Sequence, residues 1–255
     1  INPYGLAGWT ENEKEVLLYD EHDIWAISLE GKSVKKLTNG KKEQLVFRLS
    51  QTEAGQNNLF GFTAHNIDLK KSLLLRTSDK NTARNGLYQL LTNGTLKRLV
   101  LGDFKISNIS KSTNDTFLYC LESFDQPPAL YYYNSYNYNS IKVFQSNSQH
   151  FGFNWGKKEM VKFETEDGNS LKGALFYPSN FDPSKKYPMI TYIYENMSPK
   201  FHRYQNPSLY NGAVINSSNY TTEGYFVFFP DIEYKVNEPM VSALKCVTAA
   251  VIEVS

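Results

Sequence analysis

The residues of this chain best placed to do chemistry are Tyr194, Asp231 and Glu233. Tyr194 ends the apolar run Met189-Ile190-Thr191-Tyr192-Ile193-Tyr194. The two carboxylates follow a second run, Tyr225-Phe226-Val227-Phe228-Phe229. Runs without polar alternation read as strands buried on both faces, as in a central parallel sheet. Open sheets of this kind bind ligands beyond the carboxyl ends of their strands, which is where these three residues stand. A phenol offers a neutral donor that keeps its proton at neutral pH. The carboxylates can line a site, cap a helix or lie in solvent. The histidines offer less: His22, His65 and His150 fall in turn-rich stretches and are expected to be solvated, while His202 lies on the connection between the two runs. No two histidines stand at metal-ligand spacing, and neither metal nor cofactor is expected. The pattern G-x-S-x-G, which sets a nucleophilic serine on a strand-to-helix turn, occurs nowhere between Ile1 and Ser255.

The elements that must hold these residues can be read around them. Two apolar-rich runs flank Asp167-Gly168, a pair that tolerates the positive φ of a tight hairpin. Phe181 to Pro188 is a polar, proline-punctuated approach to the first apolar run, and Gly224 and Pro230 bracket the second. Residues 195–223 must supply the crossover that parallel neighbours require. Val241, Leu244, Val247, Val251 and Val254 recur at helical spacing and predict an amphipathic helix over Val241–Val254 with no C-cap signal.

Several short pieces, in order and at matching spacings, resemble the prolyl oligopeptidase family of serine peptidases, including its dipeptidyl-peptidase and acylaminoacyl-peptidase branches. They are Gln149 to Trp155 leading into Lys158-Glu159-Met160-Val161, the Asp167-Gly168 hairpin, Tyr187-Pro188, Tyr192-Ile193-Tyr194-Glu195-Asn196, Glu223 to Val227, and Pro230-Asp231-Ile232-Glu233-Tyr234. The resemblance covers roughly the last hundred residues well and the first part only as architecture. It implies a β-propeller followed by an α/β-hydrolase domain, a peptide substrate, and a Ser/Asp/His triad in that chain order. One role carries over to a residue present here: Tyr194 matches the tyrosine whose hydroxyl helps form the oxyanion hole. The chain order also argues against His202 as the general base. The chain departs from the family in Lys235-Val236-Asn237-Glu238-Pro239-Met240, where glycines are usual. Asn takes the left-handed conformation at modest cost and Met does not.

Residues 1–150 carry short β-type runs, abundant turn residues and an internal repeat. Val16–Tyr19, Asp23–Ile27 and Val34–Thr38 recur as Leu73–Leu75, Gly86–Leu90 and Leu96–Leu99, and again as Thr116–Tyr119, Ala129–Tyr133 and Ile141–Phe144. The step from Tyr88 to Tyr131 is close to the ~40 to 45 residues of a propeller blade. Tyr131 to Tyr138 reads as a strand running into a polar turn rather than an aromatic ligand platform, and Phe151 to Gly156 as the passage between domains. The expected architecture is mixed: an all-β partial β-propeller of about three blades over 1–154, then the N-terminal half of an α/β-hydrolase domain over 155–255, stopping before the nucleophile.

Composition bounds the partners. A net charge of +1 gives no electrostatic reason to expect nucleic acid, and no apolar run approaches the ~20 residues of a membrane span. Cys120 and Cys246, one expected in a strand and one in a helix, read as two buried free thiols. Asn-x-Ser/Thr triplets begin at Asn93, Asn108, Asn114, Asn196, Asn216 and Asn219, as chance provides in a chain rich in these residues. Three readings follow: part of a serine peptidase whose nucleophile is missing here, a related esterase or acyl hydrolase, or a non-catalytic propeller-containing binding protein. The first leaves one edge of the 189–194 strand unpaired, to be covered by another chain or by more of the same protein.

Overall fold

The computed structural model describes residues 4–53, 56–58, 61–63, 66–112, 114–134, 137, 139–210 and 215–255. His65 and the turn residues Ser135, Tyr136 and Tyr138 lie outside the described residues. The chain divides into two compact units, Ile1–Leu121 with Ala129–Phe144, and Glu122–Pro128 with Gln145–Ser255.

In the first unit, β1 (Leu6–Thr10), β2 (Glu15–Tyr19), β3 (Ile24–Ser28) and β4 (Val34–Lys36) form an antiparallel meander. One helical turn, α1 (Gly40–Glu43), precedes β5 (Leu45–Leu49), a separate ribbon of β6 (Gln56–Asn58) and β7 (Gly61–Thr63), and β8 (Asn66–Ile67), which pairs parallel with β1. A second sheet, ordered β11-β10-β9-β5, contains β9 (Leu73–Asp79), β10 (Asn85–Leu90) and β11 (Leu96–Gly102). The third is the meander β12 (Lys105–Lys111), β13 (Phe117–Ser123), β14 (Gln126–Asn134) and β15 (Asn139–Gln145). Each copy of the sequence repeat becomes three consecutive strands of one sheet, β2-β3-β4, β9-β10-β11 and β13-β14-β15.

Side-chain alternation shows how these sheets pack. On β9, Leu73 and Leu75 join a core with Leu17, Ile24, Phe47 and Tyr88, whereas Leu74 points the other way into one with Ile106, Phe117, Tyr119 and Tyr133. The second sheet is thus covered on both faces, which is why β9 opens on the unbroken apolar run Leu73-Leu74-Leu75. On β14, Tyr131 stacks on Tyr119 with centroids 5.8 Å apart and Tyr133 stacks on Phe117, so these tyrosines are core.

The second unit holds β16 (Lys158–Glu164), β17 (Ser170–Phe176), β18 (Met189–Thr191), α2 (Ser217–Thr221), β19 (Phe226–Pro230) and α3 (Pro239–Glu253). Its sheet runs β16-β17-β19-β18, antiparallel except for the parallel pair β18/β19. The hairpin turns at Gly168, φ +78, with Gly168 N donating to Thr165 O at 2.8 Å. Asp167 at its tip accepts from Lys235 at 2.6 Å and Lys245 at 3.3 Å, and these ammonium groups hold its carboxyl below the usual range. Alternation on β19 sends Phe226 and Phe228 toward α3 and Phe229 to the opposite face, against Phe176 and Tyr192.

Helix α3 forms where the periodicity predicts, but the face it buries is different. Ser242, Cys246 and Ala250 are inward, while Val241 and Leu244 are 53% and 68% exposed. The sheet face beneath is already filled by Phe163, Leu175 and Phe228, so small residues let the helix approach. Cys246 is buried as expected; Cys120, on β13, is only half-buried, and both thiols are free. Asn237 takes the left-handed conformation, φ +67, and Met240 is helical. Among the described residues no helix is long and apolar enough to cross a membrane.

Close approach also explains Gly173 on β17, where any Cβ would run into the Phe228 ring and lie 3.2 Å from Pro230 Cα. Gly173→Ala should destabilise the protein by about 1 to 3 kcal/mol, as overpacking does. A urea midpoint matching that of the parent would show that the Phe228 ring can yield.

Candidate active site

β18 is shorter and less buried than its sequence suggests. Only Met189, Ile190 and Thr191 are strand, each half-buried, rather than six residues covered on both faces. The reason is position: β18 is the last strand of its sheet, and β19 is its sole partner among the described residues. Tyr192 N donates to Phe228 O at 3.0 Å, extending the ladder by one residue before the chain turns away. Tyr194 therefore stands three residues past the strand, 58% exposed.

The two segments that leave the parallel pair run together. Ile232 N donates to Glu195 O at 3.2 Å, and the Tyr234 hydroxyl donates to Tyr194 O at 3.3 Å. Asp231 is buried and not solvated. Its Oδ1 accepts from Met197 N and Ser198 N, both at 2.6 Å, at the start of the 3-10 turn Ser198–Lys200. With its nitrogen turned toward Asp231, the Asn196 amide also donates to the two carboxylate oxygens, at 2.7 and 3.0 Å. Glu233, by contrast, is exposed. The arrangement presents a phenol on a loop that is tied down at a buried carboxylate, at the carboxyl end of a parallel pair.

One histidine departs from expectation. His150 lies in a 3-10 turn, Ser148–Gly152, and is buried rather than solvated, stacked on Trp155 with centroids 3.9 Å apart. Its Nε2 is 3.0 Å from Asp125 O and its Nδ1 is 3.3 Å from the Tyr204 hydroxyl, which fits a neutral ring donating through Nε2. His202 is also buried, with Nδ1 2.6 Å from Lys158 Nζ, which in turn donates to Ser123 Oγ at 2.5 Å. His22, half-buried, places Nδ1 3.0 Å from Leu45 O. The Lys158 contact has no local sequence signature, since its partner comes from another segment, whereas Trp155 stands five residues beyond His150. Among the described residues, no group of three or more His, Cys, Asp or Glu could hold a metal ion.

Burial holds the His150 pKa below its ordinary 6.5. The unfolded chain then binds the extra proton first as pH falls, so the stabilisation is full above about pH 6.5 and is lost as pH drops toward the lower folded value. Urea midpoints should decline from pH 8 to pH 5 more steeply for the parent than for His150→Phe. Parallel declines would remove His150 as the titrating group.

No family model and no curated protein matches the chain. Solved structures do. A Bacteroides ovatus protein assigned as a dipeptidyl aminopeptidase IV matches 97% of this chain at 16% identity and a TM-score of 0.65, the match covering 38% of that protein. Porphyromonas gingivalis dipeptidyl peptidase 4 matches 91% at 15% identity and TM-score 0.60, over 32% of its length, and a puromycin hydrolase matches 96% at 9% identity and TM-score 0.62, over 37%. At these identities the likeness is one of fold. The chain spans roughly a third to two-fifths of the structures that it matches.

Proposed function

We propose that the chain is part of a serine peptidase of the prolyl oligopeptidase family, one that cleaves peptides through an acyl-enzyme, with residues 1–154 as blades of a β-propeller and 155–255 as the front of the α/β-hydrolase domain. The observation that carries this reading is the sheet β16-β17-β19-β18, with its antiparallel second strand, its parallel β18/β19 pair and its open β18 edge. In the family's strand order the nucleophile strand lies beside β18. The three β-meanders, the middle one covered on both faces, support the propeller assignment. Tyr194 is the oxyanion donor in this scheme: a neutral phenol aimed at developing negative charge contributes ~3 kcal/mol to the transition state. Residues 1–255 contain no G-x-S-x-G serine, so the attacking group lies outside them.

A fluorophosphonate probe tests the assignment. The 255-residue protein should stay unlabelled, and the product of the complete gene should label with one equivalent at a single serine. Stoichiometric labelling of a serine within 1–255, or no labelling of the complete product, would overturn it.

A further inference from the structure

We propose that Asp231 is the positioning residue of the oxyanion donor, its buried carboxylate fixing the loop that bears Tyr194 on the carboxyl end of β19. This deepens the reading above and rests on it. Asp231 is 8% exposed, and its carboxylate receives the N–H groups of Met197 and Ser198 and the Asn196 amide. Its own N–H donates to Lys172 O on β17 at 2.7 Å, so the acceptor is itself anchored to the sheet. Met197 is fully buried beside it. The chain from Tyr194 to Ser198 is therefore held at both ends, at Glu195 O by Ile232 N and at Met197–Ser198 by the carboxylate. A charged acceptor makes these bonds stronger and shorter than neutral ones, which suits a loop that must hold one hydroxyl in place. With its oxygens occupied by donors, Asp231 is not disposed to act as a base. It acts through the loop.

The test is a double-mutant cycle in the complete gene product, read with a chromogenic peptide amide and a thermal melt. Asp231→Ala should lower kcat at least tenfold with KM within about twofold, and Asp231→Asn, which keeps one acceptor, should recover part of it. In a Tyr194→Phe background Asp231→Ala should cost little more, because the hydroxyl it positions is gone. A merely structural carboxylate would lower both backgrounds by the same factor, and that result overturns the proposal. So does an unchanged kcat in folded Asp231→Ala beside an impaired Tyr194→Phe. If Asp231→Ala does not fold, Asp231→Asn and Asn196→Ala carry the same cycle. A Tyr194→Phe enzyme with full kcat would instead sink the oxyanion reading, and this one with it.

Discussion

In the complete gene product, Tyr194→Phe is expected to lower kcat by about a hundredfold or more with little change in KM, as removal of a transition-state donor does. The substitution deletes one hydroxyl and keeps the ring. Tyr194 is more exposed than buried, so no core contact depends on that oxygen, and its backbone carbonyl still receives the Tyr234 hydroxyl. Folding should accordingly be unaffected, and a melt within a degree or two of the parent separates lost chemistry from lost structure. Steady-state kinetics on a peptide amide provide the check. Full kcat in the variant would reduce Tyr194 to a surface tyrosine.

Features set by local pattern were legible in the sequence, and features set by distant partners were not. The repeat and β9 could be read because alternation and apolar runs are properties of a strand and its two faces. The Asp167-Gly168 hairpin could be read because positive φ is a demand on one residue. Periodicity located α3 but not its inward face, since that depends on an aromatic sheet surface which only small side chains can approach. The length of β18 departs from the sequence reading because pairing needs neighbouring strands and burial needs layers on both faces, and composition does not reveal that the strand lies at the end of its sheet. For the same reason Asp231 stayed ambiguous between solvent, cap and site: its backbone partners lie 33 and 34 residues away. His150 looked like a loop histidine because its stretch is turn-rich, whereas its burial needs, besides the nearby Trp155, two distant groups, Tyr204 and the Asp125 carbonyl.

The open edge of β18 yields the other large effect. Backbone N–H groups alternate in direction along a strand, and Tyr192 N is bonded to Phe228 O on β19, so Thr191 N–H points to the side with no strand partner among the described residues. An exposed edge of apolar residues is a template for pairing with another chain. The 255-residue protein should therefore self-associate in a concentration-dependent way in sedimentation velocity. Thr191→Pro removes the outward donor without touching the bonds to β19, and the ring suits an edge position. It should weaken association at least tenfold while leaving the far-ultraviolet circular dichroism unchanged. A parent protein that stays monomeric at 100 μM would show the edge to be covered. The same substitution in the complete gene product separates two meanings of the edge: if β18 seats the strand that leads to the nucleophile, Thr191→Pro should abolish fluorophosphonate labelling, whereas an edge that only meets solvent would leave labelling intact and move the catalytic strand elsewhere.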